Sequence, residues 1–579
     1  MHDVRSIAVL AHCSLAAGMF SKRAKTYDPG QEPAWKRLRS NVGDLVSNNI
    51  LSGRRGAELC RDADAAGAAG MQFVHRTSTE SAGATGKNAA RFMRNFFTKR
   101  TAWPQEYRAQ IRVRKRRGKS GETKSWMSFW LPHELLCTLQ HFGDDAVLAD
   151  RGGLDQYSLA HMLSVDRQMQ AKPLPLGFWQ DGVPVNWDRT VTLEMFTLSL
   201  PGQSGEWKSL RLPLTALLKH QIGEHTMEDI CNVIAWSLRW LALGKYPPSR
   251  HDNQAWEKGS DTKRKGLAGQ ALPCQAVLAQ IRGDWKMFKE LFKLPRWDEK
   301  SGCCFRCWVK PSEVADQVGP SAPWRRNRKT WSDVIACIWR SGCRVNPLLQ
   351  APYVSLHVIR IDWLHCGDMG CSADFQAGTL WYLQTKMPGS TIAKRVSELN
   401  DKLQEFYDAN RVTDRLRCLG VRVIKRPKKA PKLKMQGAIC RAMVPFTLKM
   451  AEELCDLNDP LEQAACYGMR HLNECYKALS ARSVFGADIL QTNAPKFALF
   501  YSSLARMKPS HWRVKPKLHA WLEAAAEGGE PASNWCYRDE DFGGSVSSTG
   551  RSRGSCVTVS GVSRSVLRKF AMRPIVRMR

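Results

Sequence analysis

The order of strand-like and helix-like segments between residues 174 and 294 constrains the fold of this chain more than any other feature. The first segment, PLPLGFWQDGVPVNW, is predicted to be a strand that reaches an Asp-Gly turn at Asp181. The next, RTVTLEMFTLSLPG, carries apolar residues at alternate positions, which predicts a second strand. A third strand is predicted in WKSLRLPLTALL.

A helix, a fourth strand and a second helix follow these three strands. The segment HTMEDICNVIAWSLRWLALG predicts a helix, with Thr226 and Asp229 as a capping box and Gly244 as its stop signal. The segment CQAVLAQIRGD predicts a buried strand that runs into Asp284, and WKMFKELFKL predicts a helix that ends at Pro295. This order is typical of an α/β unit with a mixed sheet.

Two acids, Asp181 and Asp284, fall at the ends of the first and fourth predicted strands. If those strands are neighbours in a mixed sheet, the two carboxylates meet at one edge. Carboxylate oxygens are the ligands that Mg²⁺ prefers, and paired ions can drive phosphoryl transfer. Taken singly, each acid has a simpler explanation, because Asp-Gly is a common hairpin turn and Asp284 can cap the helix that follows it.

The chain carries a large excess of positive charge. It has 579 residues, with 87 Lys and Arg against 54 Asp and Glu, which gives a formal net charge of +33. Such an excess attracts polyanions and favours nucleic acid as a partner over a merely soluble basic protein. The 43% hydrophobic residues and 21 Trp residues can form packed cores, so we expect two or more structural units in a chain of this length.

The 19 cysteines are scattered through core-like sequence, which is typical of reduced thiols inside a cell. No apolar run reaches the ~18–20 residues needed to span a bilayer, and we expect no membrane association. The apolar segment SIAVLAHCSLAAGMF has no basic region before it, so we do not interpret it as a targeting signal.

Residues 1–125 are basic, and RFMRNFFTKRTAWPQEYRAQIRVRKRRGKS interleaves aromatic rings with cations. Because rings can stack on bases while cations follow phosphates, this segment is a candidate nucleic-acid arm. Its central cations are Arg112, Arg114, Lys115, Arg116, Arg117 and Lys119. A solvated basic loop or a nuclear-import signal explains the same composition equally well.

Residues 310–505 have mostly helical periodicity, as in TIAKRVSELNDKLQEFYDAN, ICRAMVPFTLKMAEELCDL and DPLEQAACYGMRHLNECYKAL. Between the first two of these lies KRPKKAPKLK, whose prolines predict a basic loop. From Gly543 the chain becomes rich in Ser, Gly and Arg, and we expect residues 545–579 to form a disordered basic tail.

Four blocks of sequence, in this order, resemble the catalytic region of CACTA-type (En/Spm-like) DNA transposases. They are QDGVPVNWDRTVTLEMFTLSLPG, GDWKMFKELFKLPRWDEKSGCCFRC, RIDWLHCGDMG and VKPKLHAWLEAAAEGGEPASNWCYRDEDFGG. The resemblance spans roughly residues 174–544. It implies an RNase H-like DDE core whose first part is residues 126–309, a helical insertion over 310–505, and a last part of the core over 506–544.

The resemblance also implies roles for individual residues. Asp181, Asp284 and Glu540 match the three catalytic acids, which in this family hold two Mg²⁺ or Mn²⁺ ions for DNA cleavage and strand transfer. Asp362 and His365 match a D-x-x-H pair, in which His365 hydrogen-bonds a phosphate or orients a ligand. Cys304 and Cys307 match a C-x-x-C pair, which is a half-built structural Zn²⁺ site or a pair of buried free thiols. The residues that could complete such a zinc site are Cys303, Cys366, Cys371, His357 and His365.

Several alternatives stay open at this point. The third acid is Glu540 or one of its neighbours Asp539 and Asp541, and Glu523 competes with all three. The implied protein is a nuclear transposase that acts on transposon ends and target DNA as a homo-oligomer, or a decayed copy of one. A non-catalytic DNA- or chromatin-binding protein with the same fold, and a metal-dependent nuclease, are the alternative functions.

Overall fold

A computed structural model of the chain describes residues 34–47, 51–67, 103–115, 120–142, 151–185, 189–202, 210–295, 299–480, 485–551 and 558–572. The chain divides into two compact units. The first comprises residues 1–101 and 571–574, and the second comprises residues 102–570 and 575–579. The apolar N-terminal segment SIAVLAHCSLAAGMF lies outside the described residues.

The first unit contains two described helices, α1 (Ala34–Ser47) and α2 (Gly53–Ala65). Ser52 begins α2, because its side-chain oxygen accepts a hydrogen bond from the Arg55 backbone N–H at 3.1 Å. A small buried cluster joins the two helices to the end of the described chain, and its members are Val42, Val46, Ala57, Cys60 and Met572.

The second unit contains two sheets. Strands β1 (Tyr107–Arg114) and β2 (Glu122–Phe129) form an antiparallel pair. The larger sheet contains β3 (Leu174–Pro184), β4 (Thr192–Ser199), β5 (Arg211–Leu218) and β6 (Ala276–Arg282), in the order β5-β4-β3-β6. Neighbours are antiparallel except for β3 and β6, which run parallel. The predicted mixed sheet is therefore confirmed.

The second unit has helices before, between and after the strands, and most of them lie in the C-terminal half of the chain. They are α3 (Pro132–Phe142), α4 (Gln156–Met169), α5 (Thr226–Leu243), α6 (Thr262–Leu267), α7 (Trp285–Phe292), α8 (Trp331–Arg340), α9 (Ser372–Leu383), α10 (Ile392–Ala409), α11 (Val421–Ile424), α12 (Gly437–Ala442), α13 (Val444–Leu454), α14 (Pro460–Ser480), α15 (Ala487–Met507), α16 (Lys517–Ala526), α17 (Pro531–Asn534), α18 (Tyr537–Arg551) and α19 (Val559–Phe570). A π-helical turn, Leu364–Cys371, leads directly into α9. Short 3₁₀ turns occupy Lys219–Gln221, Pro311–Glu313, Pro323–Arg325, Pro347–Gln350, Leu356–Val358 and Gln384–Lys386.

Two predictions for the strand and helix ends were wrong in detail. The strand β3 continues through Asp181 and Gly182 to Pro184, and Asp181 pairs with Met195 of β4 instead of starting a turn. Helix α5 has no side-chain cap, because Thr226 accepts from the Gly223 backbone N–H at 2.8 Å. Gly244 does end this helix, with a left-handed φ of 68° that glycine adopts without strain.

The tail beyond Gly543 differs most from expectation. Helix α18 continues to Arg551, and α19 packs against β2 and β5, although residues 545–579 were expected to be disordered. The Ser563 hydroxyl oxygen accepts a hydrogen bond from the Ser128 backbone N–H at 3.0 Å, which ties α19 to β2. The Ser/Gly/Arg composition concealed an apolar stripe of Val559, Val566, Leu567 and Phe570 at helical spacing. Residues 552–557 and 573–579 lie outside the described residues.

Between residues 310 and 505 the described residues form helices and loops without a strand, as the periodicity predicted. The segment KRPKKAPKLK is a loop between α11 and α12. Within the described part of the chain, no helix combines the length and the hydropathy needed to cross a bilayer.

Candidate active site

Asp181 lies within β3, and Asp284 lies two residues beyond the end of the neighbouring strand β6. Strands β3 and β6 are parallel, and Trp179 is the partner of Arg282. Continuing this register by two residues places Asp181 opposite Asp284, and adjacent strands are ~4.8 Å apart. The two acids therefore face each other where β6 ends, although β3 itself runs further.

The Asp181 carboxylate is half-buried and lies close to other negative charge. Its Oδ1 atom accepts a hydrogen bond from the Gly182 backbone N–H at 2.6 Å. Burial, and after it the charge of Asp284, raises the pKa of Asp181 to about 6. A carboxylate whose charged form is opposed by a neighbouring carboxylate is a suitable ligand for a cation.

Asp284 is also the N-terminal cap of α7, as its simpler explanation predicted. Its Oδ1 atom accepts a hydrogen bond from the Met287 backbone N–H at 2.6 Å. The cap uses one carboxylate oxygen, and it fixes the orientation of the side chain at the end of β6. Capping and a role in the site are therefore compatible for this residue.

Asp362 lies two residues before the π-helical turn and forms a hydrogen-bonded pair with His365, which lies within that turn. The Asp362 Oδ1 atom accepts hydrogen bonds from the backbone N–H groups of Leu364 at 3.2 Å and Cys536 at 2.9 Å. The Oδ2 atom lies 2.5 Å from His365 Nδ1. Burial lowers the pKa of His365, but the hydrogen bond and charge of Asp362 outweigh it and raise that pKa to about 9. His365 is therefore held as a cation at neutral pH.

Glu540, on the first turn of α18, lies next to this histidine. Its Oε1 atom is 3.4 Å from His365 Nε2. Burial raises the pKa of Glu540 to about 7 against the opposing charge of His365, and the charges of Asp362, Asp181 and Asp284 raise it further. The carboxylate of Glu540 thus shares one electrostatic environment with Asp181 and Asp284.

The neighbours of Glu540 occupy different surroundings. Asp539 is fully buried, and its Oδ1 atom accepts hydrogen bonds from Arg211 Nε at 2.7 Å and Arg282 Nη2 at 2.9 Å. Asp541 is exposed. Among these three consecutive acids, the geometry therefore brings Glu540 to the candidate site.

The sequence prediction missed a further acid, Glu194. It lies on β4 opposite Gly182, and its buried side chain is on the other face of the sheet from that of Asp181. A Cβ atom at Gly182 would lie 2.8 Å from Glu194 Oε1, so glycine permits this close approach. Gln180 Nε2 donates to Glu194 Oε2 at 2.6 Å, and burial raises the pKa of Glu194. The available signal was an acid inside the otherwise apolar segment TLEMFTLSL.

The donor set of this cluster fits a hard divalent cation. Asp181 and Glu540 have raised pKa values because burial and mutual repulsion disfavour their charged forms, and a cation would remove that penalty. Carboxylate oxygens are the ligands that Mg²⁺ and Mn²⁺ prefer. The residues that could hold such ions are Asp181, Asp284 and Glu540.

A cavity of about 340 Å³ opens beside Asp284 and His365. Its walls are largely apolar, with Trp285, Phe288 and Phe305 among the lining residues. Lys517, from the start of α16, also lines it and donates a hydrogen bond to the His365 carbonyl oxygen at 2.8 Å. An apolar wall next to acids limits water around the site and strengthens its electrostatic interactions.

A second cluster surrounds the C-x-x-C pair. Cys304, Cys307, His519 and Glu523 are all buried, and their ligand atoms lie within 4.8 Å of one another. Cys307 Sγ is 3.2 Å from His519 Nε2, and Cys304 Sγ is 3.8 Å from Glu523 Oε1. Four donors that include two thiols and an imidazole match the tetrahedral preference of Zn²⁺. We call this group the cysteine cluster.

The charges in the cysteine cluster are strongly perturbed. Burial opposes ionisation of Cys304, but its hydrogen bond with Cys307 and the charge of His519 lower its pKa below the ordinary value. Burial raises the pKa of Glu523, but His519 and Arg328 outweigh it and hold that pKa at about 2. The hydrogen bond with Cys304 raises the pKa of Cys307 above the ordinary thiol value. Burial lowers the pKa of His519, but Cys304 and Glu523 outweigh it and raise that pKa to about 9. A metal would therefore displace a proton from each of these two groups on binding.

The cluster corrects the predicted zinc ligands. The residues beside Cys304 and Cys307 are His519 and Glu523 from α16, and none of the five predicted partners lies among them. Cys303 Sγ lies 3.6 Å from the Val309 carbonyl oxygen, and the His357 ring packs against Tyr157. Glu523 is therefore placed at the cysteine cluster and does not compete with Glu540 for the carboxylate site. The signal for His519 and Glu523 was their i, i+4 spacing in HAWLE, which puts both on one helix face.

The predicted nucleic-acid arm is only partly described. Arg112 lies in β1 and not in a loop, and its guanidinium forms an ion pair with Asp229 at 2.5 Å. Arg114 ends the same strand, and Lys115 follows it. Arg116, Arg117 and Lys119 lie outside the described residues. The described half of this segment is therefore a sheet edge that packs into the second unit.

Scans of the chain against models of known protein families and against curated proteins found no match.

Proposed function

We propose that this protein catalyses metal-assisted phosphoryl transfer on DNA, as a transposase of the DDE type. One observation carries the proposal: Asp181, Asp284 and Glu540, from three separate elements, share one electrostatic environment beside His365. Such a constellation is what two-metal chemistry requires, since carboxylates distant in sequence must be held together by a rigid sheet.

The strand order supports an RNase H-like core. Three antiparallel strands are followed by β6, which is parallel to β3 at the centre of the sheet. A parallel bridge between Ile281 and Ile359 extends the sheet beyond β6, where the Arg360 backbone N–H donates to the Ile281 carbonyl oxygen at 2.9 Å. In this interpretation the helices predicted as an insertion over residues 310–505 lie between the strand that leads to Asp284 and the helix that carries Glu540, and the segment around Ile359 within that range returns to the sheet.

The chain's own residues would divide the work as follows. Asp181, Asp284 and Glu540 would hold two Mg²⁺ or Mn²⁺ ions, which when bound activate a water or a 3′-hydroxyl and stabilise the leaving oxygen. Asp362 fixes the His365 ring, so that its Nε2–H can donate to Glu540 or to a phosphate oxygen. The apolar wall of Trp285, Phe288 and Phe305 excludes water from one side.

The experiment compares Asp284→Asn with the unaltered chain in an assay of DNA cleavage and strand transfer with Mn²⁺. Asparagine caps helices as well as aspartate does, so this change removes charge while it keeps α7. Asp333→Asn, at the start of α8, is the matched control. We expect Asp284→Asn to lose roughly 100-fold or more of the activity, as for other groups that act only in the transition state, and the control to keep it.

The outcomes separate the three functions considered from the sequence. Joining of a 3′-hydroxyl end to target DNA supports the transposase, which would act in the nucleus as a homo-oligomer. Cleavage without joining supports a metal-dependent nuclease. Metal-independent DNA binding without cleavage supports a non-catalytic DNA- or chromatin-binding protein. Cleavage that survives Asp284→Asn refutes the role given to the carboxylate cluster.

The cysteine cluster supports a second metal, with a structural role. We propose that Cys304, Cys307, His519 and Glu523 hold one Zn²⁺, which would link the segment after α7 to α16. All four donors are buried. The two cysteines lie more than 200 residues before His519 and Glu523, since Cys307 and His519 are separated by 212 positions in the sequence. A closed set of four protein ligands is typical of structural zinc sites.

A further inference from the structure

Two basic segments, far apart in sequence, come together on one side of α9. Residues 425–434 (KRPKKAPKLK) and 508–517 (KPSHWRVKPK) together contain ten Lys and Arg and no acid. The first is the loop between α11 and α12, and the second runs from the end of α15 into α16. We call these residues the basic strip.

Specific contacts hold both segments against α9. At its N-terminal end, Asp374 lies 2.7 Å from Lys515 Nζ and 3.9 Å from Lys432 Nζ. The Leu433 backbone N–H donates to the Ala373 carbonyl oxygen at 3.2 Å. At its C-terminal end, Lys425 Nζ lies 4.9 Å from the centre of the Trp381 ring and Lys508 Nζ lies 4.7 Å from that of Tyr382.

Most cations of the basic strip have no carboxylate partner. Asp374 forms ion pairs with Lys432 and Lys515. Among the described residues, no carboxylate forms an ion pair with any other cation of the strip. The cations left without such a partner are Lys425, Arg426, Lys428, Lys429, Lys434, Lys508, Arg513 and Lys517. Burial, and after it the charges of Lys508 and Lys425, lower the pKa of His511 to about 4, as expected where cations are crowded. A polyanion would relieve this repulsion.

The strip leads directly to the carboxylate site. Lys432 Nζ donates to the carbonyl oxygen of Met369 at 2.9 Å, and Lys517 Nζ donates to that of His365 at 2.8 Å. Both carbonyls belong to the π-helical turn that carries His365. From Asp374 to Trp381 the helix rises about 10 Å, over which one strand of B-DNA presents about three phosphates.

We propose that the basic strip binds the sugar-phosphate backbone of double-stranded DNA and directs it to the carboxylate site. The choice of DNA rests on the proposed function, whereas the need for a phosphate-rich polyanion rests on the strip itself. The cations at Trp381 and Tyr382 cover the ring faces, so these rings are not free to stack on bases. Binding by the strip is therefore independent of base sequence.

The experiment measures binding of a 30-base-pair duplex by the full chain in EDTA, as a function of salt, so that catalysis is not involved. The loop variant replaces Arg426, Lys428, Lys429 and Lys434 with Gln, and all four side chains are exposed. The control variant makes the same charge change at Lys172, Lys258, Lys263 and Lys265, which are also exposed. A second variant, Lys425→Gln with Lys508→Gln, tests the positions over the rings.

Each phosphate contact contributes about 0.9 to the slope of log K against log salt concentration. We expect the loop variant to reduce the slope by about 2 to 3.6 and to weaken binding more than tenfold, and the ring variant to reduce it by about 1 to 1.8. The control should change the slope by less than about 0.5, since non-contacting charges release few counterions.

Equal losses in the loop and control variants would refute the proposal, because net charge alone would then explain them. An unchanged salt slope in both the loop variant and the ring variant would also refute the proposal. So would a loop variant that loses more affinity for an RNA hairpin than for the DNA duplex. If the strip does not bind DNA, Asp284→Asn can still show a metal-dependent loss of cleavage. Loss of the proposed catalysis leaves the binding result intact, so the two proposals fail separately.

Discussion

Three consecutive acids, Asp539, Glu540 and Asp541, should respond to amide substitution in three different ways. Asp539→Asn, Glu540→Gln and Asp541→Asn each remove one negative charge from the start of α18 with little change in shape. Their surroundings differ: Asp539 is fully buried between two arginines, Glu540 faces His365, and Asp541 is exposed. The comparison therefore tests which of the three acids stabilises the fold and which is needed for the proposed cleavage.

Asp539→Asn should destabilise the second unit strongly. The side chains of Arg211 and Arg282 are 9% and 3% exposed, and the Asp539 carboxylate forms a salt bridge with each. Removing one partner of a buried ion pair costs about 3–5 kcal/mol, because the remaining charge is left uncompensated. Asparagine keeps one oxygen as a hydrogen-bond acceptor, so we expect the lower end of this range, about 3 kcal/mol.

Glu540→Gln should leave stability unchanged or increase it slightly in the metal-free chain. The raised pKa of Glu540 means that its charged form is disfavoured in the folded state, and the amide removes that penalty. Because the side chain is 37% exposed, solvent screening keeps the gain small. Metal-dependent DNA cleavage should fall by roughly 100-fold or more. Asp541→Asn should change neither property.

The assay is a urea titration of each variant without metal, followed by DNA cleavage with Mn²⁺ under conditions where all three remain folded. A lower urea midpoint for Asp539→Asn, with cleavage retained by the folded fraction, is the expected pattern. If Asp539→Asn is as stable as the unaltered chain while Glu540→Gln unfolds, the assignment of the two acids is reversed. If Asp541→Asn abolishes cleavage at normal stability, the third acid is Asp541.

Three further predictions follow from local packing and charge. Gly543→Ala should destabilise the chain by about 1 kcal/mol, because its Cβ would lie 2.7 Å from Val183 Cγ1 and the strain exceeds the gain in helix propensity. Gly544→Ala has no atom near its Cβ and should stabilise the chain by about 0.5–1 kcal/mol. Thermal unfolding of the two variants tests this difference. Burial lowers the pKa of His133 to about 4. Between pH 6.5 and 4 the unfolded chain therefore binds a proton that the folded chain excludes, and the free energy of unfolding should fall by about 1.4 kcal/mol for each pH unit in that range. The urea midpoint should depend less steeply on pH in His133→Asn. Metal analysis of the purified chain should find one zinc, which Cys307→Ser removes together with several degrees of thermal stability, whereas Cys303→Ser keeps both.

The sequence was sufficient for those parts of the fold that local patterns determine. The strands around Leu193 and Met195, the helix that Gly244 ends and the strand before Asp284 follow from periodicity and stop signals. Their arrangement in a mixed sheet followed from the order of the elements. Helix α19 was missed because its four apolar residues are diluted by Ser, Gly and Arg, and burial against β2 and β5 overrides that composition.

The candidate site was harder to predict, because its members depend on tertiary contacts. Nothing local distinguishes Glu540 from Asp539, since the difference is the pair of arginines at the ends of β5 and β6. His519 and Glu523 reach the C-x-x-C pair only because α16 packs against the segment after α7. In each case the partner is hundreds of residues away or on another strand.

The two candidate metal sites are mechanically linked through α16. At its start, Lys517 holds the His365 carbonyl, and further along the same helix His519 and Glu523 contact Cys304 and Cys307. The π-helical turn packs closely on this helix, since a Cβ at Gly367 would lie 3.1 Å from Trp521 Cδ1. Because interiors are close-packed, a shift of α16 must displace the turn and with it His365, which lies 3.4 Å from Glu540. A metal ion bound at the cysteine cluster would therefore fix α16 and, through it, the position of His365, without contributing a group to the carboxylate site.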